Sequence, residues 1–140
     1  MTPEQTGLIR ESFGKVLPIA DVAAELFYTR LFDLDPSLRH LFHGDMKEQG
    51  RKLMTMIRVA VANLDRLDNV VPAVEALGER HARYGVEDSM YETVGEALIW
   101  TLQTGLGEDF TPETRQAWIE VYGLLSSVMK NAAHRALVAV

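Results

Sequence analysis

The strongest constraint on this chain is a helical period. Apolar residues recur every three to four positions in one segment after another, and no stretch alternates with the two-residue period of a strand. Leu8, Ile9, Phe13, Val16 and Leu17 form one such stripe, Leu53, Met56, Ile57, Ala60, Leu64 and Leu67 another, and Trp118, Val121, Tyr122, Leu125, Val128, Met129 and Ala132 a third. The segments are punctuated by residues that stop helices: Pro18, Pro36, Gly85, the Gly105–Gly107 pair and Pro112. The pattern specifies an all-α fold of about seven or eight helices, with no internal repeat and no linker long enough to divide residues 1–140. One domain is expected, frayed at residue 1 and from about residue 134.

Helix boundaries follow from capping chemistry. Thr2-Pro3-Glu4-Gln5 is a capping box with proline at the first helical position, and that helix should end or bend at Pro18. A second helix is expected from Ile19 to about Leu34, a short third one from Leu38 to Phe42, and a long fourth one from Asp45 to about Leu67. Asn69 should open a fifth helix that Gly85 closes. Glu87-Asp88-Ser89 caps the next, and Thr111-Pro112 starts the last.

Composition excludes several functions. The 140 residues contain no cysteine, so no disulfide framework, iron–sulfur cluster or thiolate ligand is possible. A net charge of −6 argues against nucleic acid or an anionic membrane as principal partner. With neither a basic-flanked N-terminal apolar run nor an apolar stretch of spanning length, a cytoplasmic location is expected.

The chemistry-bearing residues are few. His81 extends the apolar row Val70, Val74, Leu77, and a lone histidine on a helix face is more often a capped or solvated residue than a metal ligand. Tyr28 follows Phe27 in the second helix, where a tyrosine can simply be core. Gln49 and Leu53, four apart, share one face of the long helix.

Taken together, Phe27-Tyr28…Leu31-Phe32, Gly50-Arg51-Lys52-Leu53-Met54, His81…Tyr84-Gly85-Val86, Tyr91-Glu92-Thr93-Val94-Gly95 and Ala117-Trp118…Tyr122-Gly123 resemble the bacterial single-domain globins, in the branch that includes flavohaemoglobin haem domains, Vitreoscilla-type haemoglobins and neuroglobin-like proteins. The resemblance spans Thr2 to about Asn131. It implies a three-over-three helical sandwich around haem b, with His81 as the proximal ligand of the iron and its second ring nitrogen donating to a carbonyl near Leu77. Phe42 would wedge against the porphyrin, and Leu53, Leu77, Tyr84, Val86, Val94 and Leu98 would complete the pocket. Lys52 would pair with a haem propionate, while His40 and His43 would be solvated or face the propionates. Tyr28 and Gln49 would hydrogen-bond the bound gas, implying tight O2 binding with slow release. With Gln49 rather than histidine at the distal position, ligation by two histidines is not implied. Tyr91 matches the family's tyrosine beside the proximal histidine, but the companion glutamate falls near Ala133, so anionic support of the iron should be weak. The implied ligands are O2, NO, CO and possible ferric-state anions such as sulfide or nitrite. The implied activity is NO dioxygenation fed by an external reductase, with an O2 carrier, scavenger or sensor as the alternative. A monomer or weak homodimer is expected.

Overall fold

The computed structural model describes residues 1–138, with side-chain surroundings given through Arg135; residues 139–140, part of the expected frayed end, lie outside the described residues. Six α-helices are present: α1 Pro3–Val16, α2 Ala20–Leu34, α3 Met46–Ala62, α4 Val71–Arg83, α5 Asp88–Leu106 and α6 Pro112–Val138. Short 3₁₀ turns at Leu17–Ile19, Pro36–Leu41, Leu67–Asn69 and Gly107–Asp109 connect them, and no strand occurs among the described residues. The helices stack in two layers of three, α1, α3 and α4 over α2, α5 and α6. The helical period therefore specified the class correctly, with Pro36–Leu41 as a 3₁₀ segment where a short α-helix was expected.

Local chemistry sets the ends. The Thr2 hydroxyl accepts the Gln5 N–H at 3.2 Å, and the Thr2 N–H donates to the Gln5 side chain at 3.0 Å, which completes the expected box. Asp45 accepts the Lys47 N–H at 2.9 Å and starts α3. That helix ends at Ala62, five residues before the expected Leu67. Its last carbonyls have other donors. Arg10 of α1 reaches the Val61 and Ala62 carbonyls at 3.4 Å, and the Asn63 side chain donates to Val59 at 2.9 Å. Leu64 lies beyond the helix yet is buried, whereas Leu67 falls in the next 3₁₀ turn. At the C-terminal end, His134 pairs with Asp88 and Arg135 with Glu75, tying α6 to the starts of α5 and α4.

Two apolar clusters fill the interior. One joins Ile9, Phe13 and Val16 of α1 to Leu102, Leu106, Trp118 and Val121, with the Trp118 indole N–H donating to Ser12 at 2.9 Å. The other gathers Phe27, Tyr28, Leu31 and Leu38, with Phe42, Leu53, Val94 and Leu98 packed against it. Two glycines permit close helix crossings. At Gly78 a Cβ would sit 2.3 Å from the Met129 carbonyl oxygen, so α4 lies backbone-to-backbone on α6. At Gly50 it would meet the Ala24 Cβ at 2.9 Å, which seats α3 on α2.

Gly78 and Gly7 should respond oppositely to alanine. Gly7 lies inside α1 with open space around it, so Gly7→Ala should stabilise by about 0.5–1 kcal/mol through helix propensity. Gly78→Ala must push α4 off rigid backbone, and should cost about 1–3 kcal/mol. Urea unfolding of the two variants measures both. Equal tolerance would contradict the close crossing.

Candidate functional site

A cavity of about 250 Å³ opens between α3 and α4, two helices that face each other across it and scarcely touch. Leu53, Met56, Ile57, Ala60 and Val61 of α3 form one wall, Val74, Leu77 and His81 of α4 the other, and α5 and α6 close it with Val94, Leu98, Trp118, Val121 and Leu125. Phe42 and Leu41 contribute from the turn before α3.

The position of His81 follows from how α4 ends. The Val86 N–H donates to the His81 carbonyl at 2.9 Å and the Gly85 N–H to the Ala82 carbonyl at 3.1 Å. This is a Schellman motif, and it needs the left-handed φ of +93° that Gly85 supplies. The motif folds Val86 back onto the last turn, so that Val86 and His81 both face the cavity. Burial pushes the His81 pKa below its usual value, and the neighbouring Arg80 charge pushes it the same way. The imidazole is therefore neutral near pH 7, the form that can ligate a metal. It makes no hydrogen bond among the described residues, so the expected bond to the Leu77 carbonyl is not formed.

The other polar groups of the wall are nearly all engaged. Tyr122 donates to the Tyr91 carbonyl at 2.5 Å, Ser126 to the Gly123 carbonyl at 3.2 Å, and Trp118 to Ser12. The Tyr91 hydroxyl is the exception: it is buried and has no partner. Its ring lies 6.3 Å from that of His81, and burial, with Asp88 nearby, raises its pKa. An unpaired buried hydroxyl costs about 1–3 kcal/mol, so an orphan beside His81 marks a place for a bound group. The charge closest to Tyr91 across α6 is cationic, with the Lys130 ammonium 5.9 Å from its ring, while Ala133 is buried and offers no carboxylate.

Of the residues expected in the pocket, Phe42, Leu53, Leu77, His81, Val86, Tyr91, Val94 and Leu98 line the cavity. Four do not. Tyr28 is buried in an aromatic cluster with Phe27, Phe32 and Phe42, its ring 5.4 Å from that of Phe42. Its hydroxyl donates weakly to the Gln49 carbonyl at 3.5 Å. Desolvation raises the Tyr28 pKa to about 12, partly opposed by a side-chain hydrogen bond with Gln49. Gln49 is half-buried beside it, outside the wall, and Lys52 is exposed, one residue before Leu53. Tyr84 is 65% exposed, because the helix has already ended there and the closing turn points it outward. Met56, Ile57, Trp118, Val121, Leu125 and Met129, which the sequence places on apolar helix faces without naming them as pocket residues, also line the cavity. The faces were legible; the gap between them was not.

No cluster of three or more His, Asp or Glu that could hold a bare metal ion occurs among the described residues. One neutral imidazole in an apolar slot suits a metal that brings its remaining ligands with it, inside a flat organic ring.

The comparisons with known proteins agree with this geometry. A family model described as "Globin" matches residues 25–129. Neuroglobin of Danio rerio is 32% identical, covering 96% of this chain and 97% of the relative. Neuroglobin of Tetraodon nigroviridis is 33% identical over 74% of each chain. Among solved structures, an engineered carbene transferase, built on a candidate nitric oxide dioxygenase of Rhodothermus marinus, superposes with a TM-score of 0.89 over 99% of this chain and 97% of its own. Its sequence identity is 24%, so that likeness speaks for the fold alone.

The placement of Tyr28 generates a stability test. Its ring packs on three phenylalanines, whereas its hydroxyl reaches the Gln49 carbonyl only at 3.5 Å. Tyr28→Phe should therefore change the unfolding free energy by less than about 1 kcal/mol, and Tyr28→Ala should cost about 3–5 kcal/mol. Denaturant melts of both variants decide it. A large loss in Tyr28→Phe would mean that the hydroxyl, not the ring, holds the site together.

Proposed function

The chain belongs to the globin family, and from that premise we propose that it holds haem b through His81, binds O2 reversibly and tightly, and uses it to convert nitric oxide to nitrate with electrons from a separate reductase. The carrying observation is a neutral His81 in a cavity whose one other unengaged polar wall group is the Tyr91 hydroxyl. The residues present fit the cofactor: an apolar slot between separated helices, a single nitrogen ligand, and no competing carboxylate. Bound haem supplies the iron that takes up diatomic gases and carries the redox chemistry.

The protein's part is binding and orientation. His81 is held by the closing turn of α4 and offers an unprotonated nitrogen without a reorganisation step. Tyr91 lies against His81, and its O–H is free to take a partner when the cavity is filled. Phe42, Leu53, Leu77, Val86, Val94 and Leu98 exclude water from the slot. Lys52, exposed beside Leu53, is the cation available to a propionate. Tyr84 has no place in this wall and is left to the closing turn. Tyr28 keeps its proton to about pH 12, so its O–H remains a donor at neutral pH, and Gln49 lies beside it. In our reading these two groups polarise the distal side.

The alternative is an O2 carrier or scavenger without turnover. Lys130 and Ala133 on α6 favour it, because that helix brings no carboxylate to the Tyr91 hydroxyl or the His81 imidazole. Nitric oxide consumption by the oxygenated protein distinguishes them. Multiple turnovers with a supplied flavin reductase support dioxygenation; a single equivalent consumed, despite rapid re-reduction, supports the carrier.

His81→Gly should abolish the Soret band of the purified protein, with added imidazole restoring it. Retention of a normal spectrum would remove His81 from the iron. Tyr28→Phe should speed O2 dissociation by about one to two decades, the equivalent of one hydrogen bond to a polarised ligand at about 1.4 kcal/mol per decade. Stopped-flow displacement by CO measures it, and an unchanged rate places Tyr28 outside the gas site.

A further inference from the structure

The chain is acidic as a whole, but its charge is segregated. Between Arg39 and Arg58 there are five Lys/Arg against Asp45 and Glu48, and on the opposite helix and its closing turn Arg80 and Arg83 flank His81 against Glu79 and Glu87. The rest of the chain carries seven Lys/Arg against sixteen Asp/Glu. These two short stretches supply both rims of the cavity, through Leu41, Phe42 and Leu53 on one side and His81 on the other.

The two groups of cations differ in part in their partners. Of the seven elsewhere, Arg10, Lys15 and Arg135 form ion pairs with Asp65, Asp109 and Glu75, and Arg30 and Lys130 lie over the Trp100 and Tyr91 rings. None of the seven rim cations pairs with a carboxylate among the described residues, and all seven are exposed; with Lys52 given to a propionate, six remain for a partner. Arg39 is the most engaged of them, over the Phe32 ring and on the Phe42 carbonyl. On α3, Lys47, Arg51 and Arg58 follow at spacings of four and seven and so share one outward face. An unpaired positive field on an otherwise negative protein makes the molecule a dipole aimed through the cavity mouth. Such a field orients an approaching anion without binding it tightly.

We propose that this rim is the docking surface for a small acidic one-electron carrier protein. The inference rests on the haem reading, since that reading requires an external electron source at the cavity. Charge complementarity selects the partner: a basic carrier would be repelled by the cations of the rim. The docking is transient, as is usual for small electron-transfer encounters.

The test uses the haem-loaded protein and a plant-type [2Fe–2S] ferredoxin as acidic probe, with binding read by calorimetry. Affinity should fall about ten-fold between about 20 mM and 200 mM NaCl as screening shortens the field. The double reversal R51E/R83E, one change on each rim, should weaken binding by about ten-fold or more at low salt, with the Soret spectrum unchanged. The matched reversal R66E/R115E, outside both stretches, should change it by less than about two-fold. Equal losses in the two doubles, tighter binding of cationic cytochrome c, or tighter binding to phosphatidylserine vesicles than to ferredoxin would overturn the proposal. A haem-loaded protein that binds no ferredoxin refutes the docking alone; a protein with no Soret band refutes the haem reading beneath it.

Discussion

Everything in this molecule depends on two helices being held apart. An apolar cavity of about 250 Å³ gives up dispersion contact between the walls that line it. Collapse of α3 onto α4 would recover it. The fold prevents collapse by anchoring each helix elsewhere: α4 lies backbone-to-backbone on α6 at Gly78, and α3 is seated on α2 at Gly50. Arg10 further holds the end of α3 against α1. A rigid planar ligand between the two helices would supply those contacts.

The same anchoring positions the chemistry. Because α4 cannot slide on α6, its last turn has a fixed place, and the Gly85 closure puts His81 and Val86 on the cavity wall together. Desolvation then keeps the imidazole neutral. Tyr91, one helix on, is left with a buried hydroxyl that nothing in the protein satisfies. A local backbone motif, a helix crossing and a burial effect thus converge on one nitrogen.

On the distal side the arrangement is less direct. Tyr28 and Gln49 lie together, but the tyrosine ring belongs to the phenylalanine cluster and its hydroxyl leans on a backbone carbonyl. A bond of 3.5 Å is weak, so the ring packing rather than the hydroxyl fixes this residue. On the outer surface, the cations that rim the mouth have no carboxylate partner among the described residues, while Arg10, Lys15 and Arg135 are paired within the chain.

By itself the sequence determined the class and most of the ends. The 3.6-residue period, the Thr2–Gln5 box, Pro18, Gly85 and the Gly105–Gly107 pair specify helices locally, because capping and breaking are decided within a few residues of chain. The apolar faces carrying Leu53, Leu77, Val94 and Leu98 were legible for the same reason, and the family motifs picked out His81 among four histidines. Where α3 stops was not legible, since its end is set by Arg10 from fifty residues away. Nor was the outward turn of Tyr84, the orphaned Tyr91 hydroxyl or the engagement of Tyr28 with Gln49. Those depend on which helices touch and which do not, and periodicity is silent on that: the same apolar stripe faces a neighbour or an empty slot. Only the close crossing of α4 on α6 decided that the stripe beside His81 would face a cavity.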